Sequence, residues 1–78
     1  MEQLNLRHAG YGMDIKTRIS GIPIELNLRD LCFFLRRKLG VKKITYRQLN
    51  NIDDNEILIN GTYELSDIRE LIDEFQLI

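Results

Sequence analysis

The sequence predicts an α+β fold with two layers, in which a mostly antiparallel four-stranded sheet carries two helices on one face. Two amphipathic stretches have helical periodicity, and each follows a pair of short segments whose apolar residues recur at every second position. The predicted order is strand, strand, helix, strand, strand, helix. The chain has 78 residues, of which 44% are hydrophobic. We therefore expect one domain over residues 1–78, with a thin core and no deep substrate cavity.

The first 20 residues are predicted to form a β-hairpin. Leu4 and Leu6 alternate with polar neighbours, as expected of a half-buried strand. A second strand is predicted from Met13 to Ile19, where apolar or small residues alternate with charged ones. Residues 9–12, with the sequence AGYG, supply flexible turn residues between the two strands.

The first helix is predicted between Asn27 and Gly40. Asn27 is a favourable N-cap, and Asp30 in the first turn suits the helix dipole. Gly40 is a common residue at the end of a helix. The apolar residues of this segment fall on one face of the helix: Leu28, Leu31, Cys32, Leu35 and Leu39.

The second half repeats this arrangement of elements. A third strand is predicted over residues 42–49, with Ile44 and Tyr46 facing inward, and a fourth over residues 56–60. The polar residues between them predict a hairpin loop. Ser66 is the expected N-cap of the second helix, whose apolar residues recur at i, i+3, i+4 and i+7, namely Ile68, Leu71, Ile72 and Phe75.

Charge is distributed unevenly along the chain. Residues 1–52 hold ten Lys and Arg against four acids, a net charge of +6, whereas residues 53–78 hold one Arg against eight acids, a net charge of −7. Such a split is typical of a basic surface for an anionic partner beside an acidic segment. It is equally compatible with two ends that neutralise each other within one small fold.

Phe33 is the most informative residue of the first helix. At 100° per residue it lies opposite the apolar face, so we expect its ring outside the core, with Arg29, Arg36 and Arg37 around it. Arginine binds phosphate through paired hydrogen bonds, and aromatic rings stack on unpaired bases. The pattern favours RNA or an acidic protein surface, unless the N-terminal segment or a second copy covers Phe33. The predicted basic surface also includes Lys38, Lys42 and Lys43.

Catalytic, metal and membrane functions find no support in the sequence. It has no glycine-rich phosphate loop, nucleophile elbow or paired catalytic carboxylates, and its one cysteine and one histidine do not make a metal site. We therefore expect a non-enzymatic protein without a cofactor or metal. No apolar run approaches the roughly 20 residues that cross a bilayer, and the start does not resemble a signal peptide, so the expected location is cytoplasmic.

Three stretches together resemble the eukaryotic and archaeal translation initiation factor 1 family. They are residues 4–22 (LNLRHAGYGMDIKTRISGI), residues 31–39 (LCFFLRRKL) and residues 57–61 (ILING), followed by a closing amphipathic helix. The resemblance implies binding to the small ribosomal subunit near the decoding site, through the opening hairpin and the basic helix. In this chain those positions correspond to Arg7 beside the hairpin loop and to Arg36, Arg37 and Lys38 in the helix.

The second interpretation is a protein interaction module similar to the Phox and Bem class. Lys16 and Arg18 would then meet an acidic loop on another copy, formed by Asp53, Asp54 and Glu56, and give head-to-tail association. A small regulator that inhibits a larger protein machine by binding it is a further alternative. All three interpretations describe a protein that acts by binding.

Overall fold

The computed structural model describes residues 4–23, 25–48 and 55–77. They form the predicted α+β fold in the predicted order, with a short 3-10 helix in the first hairpin. The elements are β1 (Asn5–Ala9), the 3-10 helix (Gly12–Asp14), β2 (Lys16–Ser20), α1 (Leu28–Leu39), β3 (Ile44–Arg47), β4 (Glu56–Asn60) and α2 (Leu65–Gln76).

The four strands make one sheet in the order β1-β2-β4-β3, and all three pairings are antiparallel. The edge strands of the sheet are therefore β1 and β3. Residues directly opposite each other in neighbouring strands share a face. The two rows that face the helices are Leu6, Ile19, Ile57 and Tyr46, and His8, Thr17, Ile59 and Ile44.

The core lies between these rows and the apolar faces of α1 and α2. Ile19, Ile57 and Ile59 of the sheet are fully buried and cluster with buried residues of both helices. We call the opposite side of the sheet the open face, because none of its described residues is buried. The open face consists of Asn5, Arg7, Ala9, Lys16, Arg18, Ser20, Thr45, Arg47, Glu56, Leu58 and Asn60.

The second strand begins later than the alternation of residues 13–19 predicts. Residues 12–14 form the 3-10 helix, closed by the Asp14 amide, which donates to the Tyr11 carbonyl at 3.0 Å. Gly10 makes this turn possible, since it has a φ of 112° and a Cβ there would lie 2.5 Å from the Asp14 carbonyl oxygen. The turn therefore takes residues that the periodicity alone assigned to the strand.

The predicted limits of α1 are confirmed. The Asn27 side chain accepts a hydrogen bond from the Asp30 amide at 3.2 Å, which satisfies one of the free donors of the first turn. Gly40 ends the helix in the left-handed conformation with a φ of 68°, and its amide donates to the Arg36 carbonyl. One continuous helix therefore carries Arg29 in its first turn and the basic residues Arg36, Arg37 and Lys38 in its last turn.

The prediction for the start of α2 is wrong. Its N-cap is Glu64, without a side-chain capping bond, and Ser66 lies inside the first turn. The half-buried Leu65 packs against the core, so tertiary packing places the helix start two residues before the best capping side chain. The predicted apolar face is otherwise present, with Ile68 and Ile72 fully buried.

Candidate functional site

An open groove of about 230 Å³ runs between α1 and the edge strand β3. We call it the α1–β3 groove. Its volume lies below the roughly 300–1,000 Å³ of sites for drug-sized ligands, so it suits one flat group of a longer ligand. The groove is lined by Arg29, Cys32, Phe33, Arg36, Ile44 and Tyr46.

Phe33 supplies the helical wall of the α1–β3 groove. Its side chain is 56% exposed, which confirms that it lies outside the core. The described N-terminal residues do not bury it. A large aromatic ring held open to solvent on a rigid helix offers a surface on which another flat group can stack.

Tyr46 supplies the opposite wall, and its environment differs from the sequence prediction. The residue belongs to the sheet face that carries the helices, as predicted, yet it is 46% exposed rather than packed inward. The strand order explains this, because β3 is an edge strand and Tyr46 has a neighbouring strand on one side only. The structure thus brings together two exposed aromatic side chains that are separated by 13 positions in the sequence.

Two arginines add positive charge to these walls. Arg29 and Arg36 both line the groove, and neither forms an ion pair with any carboxylate in the part of the chain that the structure describes. A guanidinium group without a protein partner is available for paired hydrogen bonds to a phosphate or carboxylate. The α1–β3 groove therefore combines aromatic surface with two available cations.

Cys32 and Ile44 are the apolar members of the groove lining. Burial raises the pKa of the Cys32 thiol to about 11, so the thiol is protonated at neutral pH. A protonated, buried thiol is a poor nucleophile and behaves as a small hydrophobic side chain. The groove therefore offers an apolar surface for binding and no activated nucleophile from this residue.

Other predicted cations lie away from the groove. Lys38 points toward α2, where its ammonium group is 2.9 Å from Glu74 Oε1 and 5.6 Å from the centre of the Phe34 ring. Arg37, Lys42 and Lys43 are exposed, but none of them lines the groove. The basic run of the sequence is thus divided between two sides of α1.

The sheet separates Arg7 from the groove. Arg7 lies on the open face, directly opposite Arg18 in the neighbouring strand, and Lys16 points to the same side. Glu56 also belongs to the open face and contacts Arg47 at 3.4 Å and Arg18 at 4.0 Å. The predicted acidic residues Asp53 and Asp54 lie outside the described residues, so of that predicted acidic loop only Glu56 can be placed.

Metal-binding clusters and membrane-crossing helices are both missing from the described residues. Within residues 4–23, 25–48 and 55–77, no three His, Cys, Asp or Glu residues are grouped so that they could hold a metal ion. Neither α1 nor α2 has the length and apolar character of a membrane-crossing helix, and these are the helices of the described part.

Sequence and structure comparisons give no relative from which a function could be carried over. The chain matches no protein-family model, no curated protein and no solved structure. The case for a function therefore depends on the geometry of the α1–β3 groove.

Proposed function

We propose that this protein is a non-enzymatic RNA-binding protein that holds an unpaired nucleotide of structured RNA in the α1–β3 groove. The observation that carries the proposal is the placement of Phe33 and Tyr46, both half-exposed, in one groove with two arginines that have no described ion pair. A base would stack on the aromatic walls, and Arg29 and Arg36 would bind the phosphates beside it. Loops and bulges of folded RNA present such splayed bases.

The groove favours RNA over an acidic protein surface because of its mixed chemistry. The carboxylates of an acidic surface would use the two arginines, whereas an unpaired nucleotide would use both the aromatic surface and the arginines. The small volume of the groove also fits one base better than a folded protein segment.

The resemblance to translation initiation factor 1 extends the proposal to the small ribosomal subunit. That family carries a basic loop in its opening hairpin, whereas residues 9–13 here (AGYGM) contain no cation. In our proposal the α1–β3 groove therefore supplies the main contact, and Arg7, at the start of this hairpin, makes no contact within the groove. Binding to other structured RNA is the broader form of the same proposal.

Co-sedimentation with purified small ribosomal subunits and with bulk RNA, at low and high salt, tests the proposal. We expect sedimentation with RNA that weakens as salt rises, because phosphate contacts release bound counterions. The Arg29→Ala/Arg36→Ala variant should reduce the magnitude of the negative slope of log K against log salt by about 1.4, since each lost contact to a single strand removes roughly 0.7.

Lys38→Ala is the matched control for this variant, because Lys38 belongs to the same helix but is paired with Glu74. It should bind RNA as the wild type does. If the double arginine variant binds with unchanged affinity and unchanged salt dependence, the groove is not the RNA site. Failure to sediment with either RNA, together with self-association on a sizing column, would favour a protein partner instead.

A further inference from the structure

The described residues of the open face carry more positive than negative charge. Four of its described residues are cations, Arg7, Lys16, Arg18 and Arg47, and Glu56 is its one described carboxylate. The charge of these five residues is therefore +3. Glu56 forms ion pairs with Arg18 and Arg47. Arg7 and Lys16 have no ion pair among the described residues.

Arg7 and Arg18 are placed in a way that does not help folding. They face each other directly across β1 and β2, and like charges at directly opposed positions destabilise a sheet. Glu56 cannot relieve Arg7, because β2 lies between their strands. A pair of opposed arginines on the open face suits a ligand that brings several negative charges.

The edge strand β3 connects this face to the α1–β3 groove. Tyr46 and Arg47 are adjacent in β3, so their side chains point to opposite faces of the sheet. Tyr46 lines the groove, whereas Arg47 lies at the edge of the open face. Arg18 lies two strands further on and Arg7 three, which corresponds to about 10 and 14 Å at the usual spacing between strands.

We propose that the open face is a second phosphate-binding surface, along which single-stranded RNA continues after it leaves the groove. The strand would cross the β3 edge between Tyr46 and Arg47 and then pass over Arg18 and Arg7. This inference rests on the proposed function, because the groove anchors the RNA. It predicts that a single strand long enough to reach the open face binds more tightly than a short one that fills the groove alone.

Oligouridylates of two lengths test this path. One has about three nucleotides and fills only the groove, and the other has about ten, within the usual range of single-strand binding sites. The Arg7→Ala/Arg18→Ala variant should bind the short oligonucleotide as the wild type does. For the long one, the negative slope of log K against log salt should become shallower by about 1.4.

Arg69→Ala is the matched control, since Arg69 is an exposed arginine of α2 and lies outside both surfaces. It should change neither slope. The thermal midpoint of the double variant should stay within about 8 °C of the wild type, because the substitution removes an opposed pair of like charges together with one exposed contact between Arg18 and Glu56. A larger fall would assign the two arginines a structural role and overturn the inference.

The outcomes also separate this inference from the proposed function. If the long and short oligonucleotides bind the wild type equally, or if the double variant loses neither affinity nor slope, the path over the open face is wrong and the groove proposal stands. If the double variant loses slope while Phe33→Ala loses nothing, RNA binds the open face without using the groove. In that case the proposed function, as placed in the groove, fails.

Discussion

The two sides of α1 carry similar residues in different surroundings. Toward α2, Phe34 is only 4% exposed, its ring lies 5.4 Å from that of Phe75, and Lys38 sits over its face. Toward β3, Phe33 is half-exposed, and the nearby Arg29 and Arg36 have no described ion pair. Each side thus places a phenylalanine beside a basic side chain, but only Phe34 is packed into the core.

The grooves on the two sides of α1 differ in the charge of their linings. The groove toward α2 has a volume of about 320 Å³, and its lining includes three acids, Asp67, Glu70 and Glu74, beside Lys38. The α1–β3 groove has two cations and no acid in its lining. The charged residues that line the α2-side groove therefore sum to −2, and those that line the α1–β3 groove sum to +2, so an anionic ligand is repelled by the first groove and attracted by the second.

Substitution of the two phenylalanines should show the largest contrast. Phe34→Ala is expected to lower the free energy of unfolding by about 3–5 kcal/mol, as for other buried phenylalanines. Phe33→Ala should change it by no more than about 0.5 kcal/mol, because an exposed ring contributes little packing. Urea denaturation of the two variants and the wild type measures both values. Equal losses would mean that Phe33 also belongs to the core.

The reactivity of the Cys32 thiol measures how well the lining of the α1–β3 groove is shielded from water. With a pKa of about 11, only about one thiol in a thousand is ionised at pH 8, so a thiol reagent should react roughly a hundredfold more slowly with folded than with urea-unfolded protein. The rate should rise about tenfold for each pH unit below that pKa. A folded-state rate equal to that of the unfolded chain would show that the groove lining is open to water at Cys32.

Lys38 should give the smallest effect. Its ion pair with Glu74 is half-exposed, so its removal in Lys38→Ala should cost no more than about 1 kcal/mol of stability. RNA affinity should not change, since the side chain faces α2. Thermal or urea unfolding, combined with RNA titration, checks both expectations. A loss of RNA affinity with normal stability would place the RNA-binding surface on the α2 side of α1 and contradict the groove proposal.

The sequence was sufficient for the fold and for part of the site. Periodicity fixed the element order and the outward position of Phe33, because both depend on local geometry. Ser66 shows where local rules fail, since packing of Leu65 determined the helix start. Tyr46 shows the larger gap, because its exposure depends on β3 being an edge strand, and strand order is set by contacts distant in sequence.

The division of the basic residues was equally hidden from the sequence. Lys38 is adjacent to Arg37 in the chain, yet it is neutralised by Glu74, which lies in a different helix. Arg7 belongs to the predicted surface through the resemblance to the initiation factor family, and the sheet places it on the face opposite the helices. A run of cations predicts a basic surface, but only the fold determines how many surfaces share it.

The most direct test of the proposed groove is an RNA titration with variants that change only the ring of Phe33. Phe33→Leu keeps an apolar side chain without an aromatic face, and Phe33→Trp enlarges that face. The probe is an oligouridylate of about ten nucleotides. Phe33→Leu should bind it at least about tenfold more weakly than the wild type does, since stacking on one base contributes roughly 1–3 kcal/mol. Phe33→Trp should bind at least as tightly as the wild type. If Phe33→Leu binds with wild-type affinity, the exposed ring does not stack on RNA and the account is contradicted.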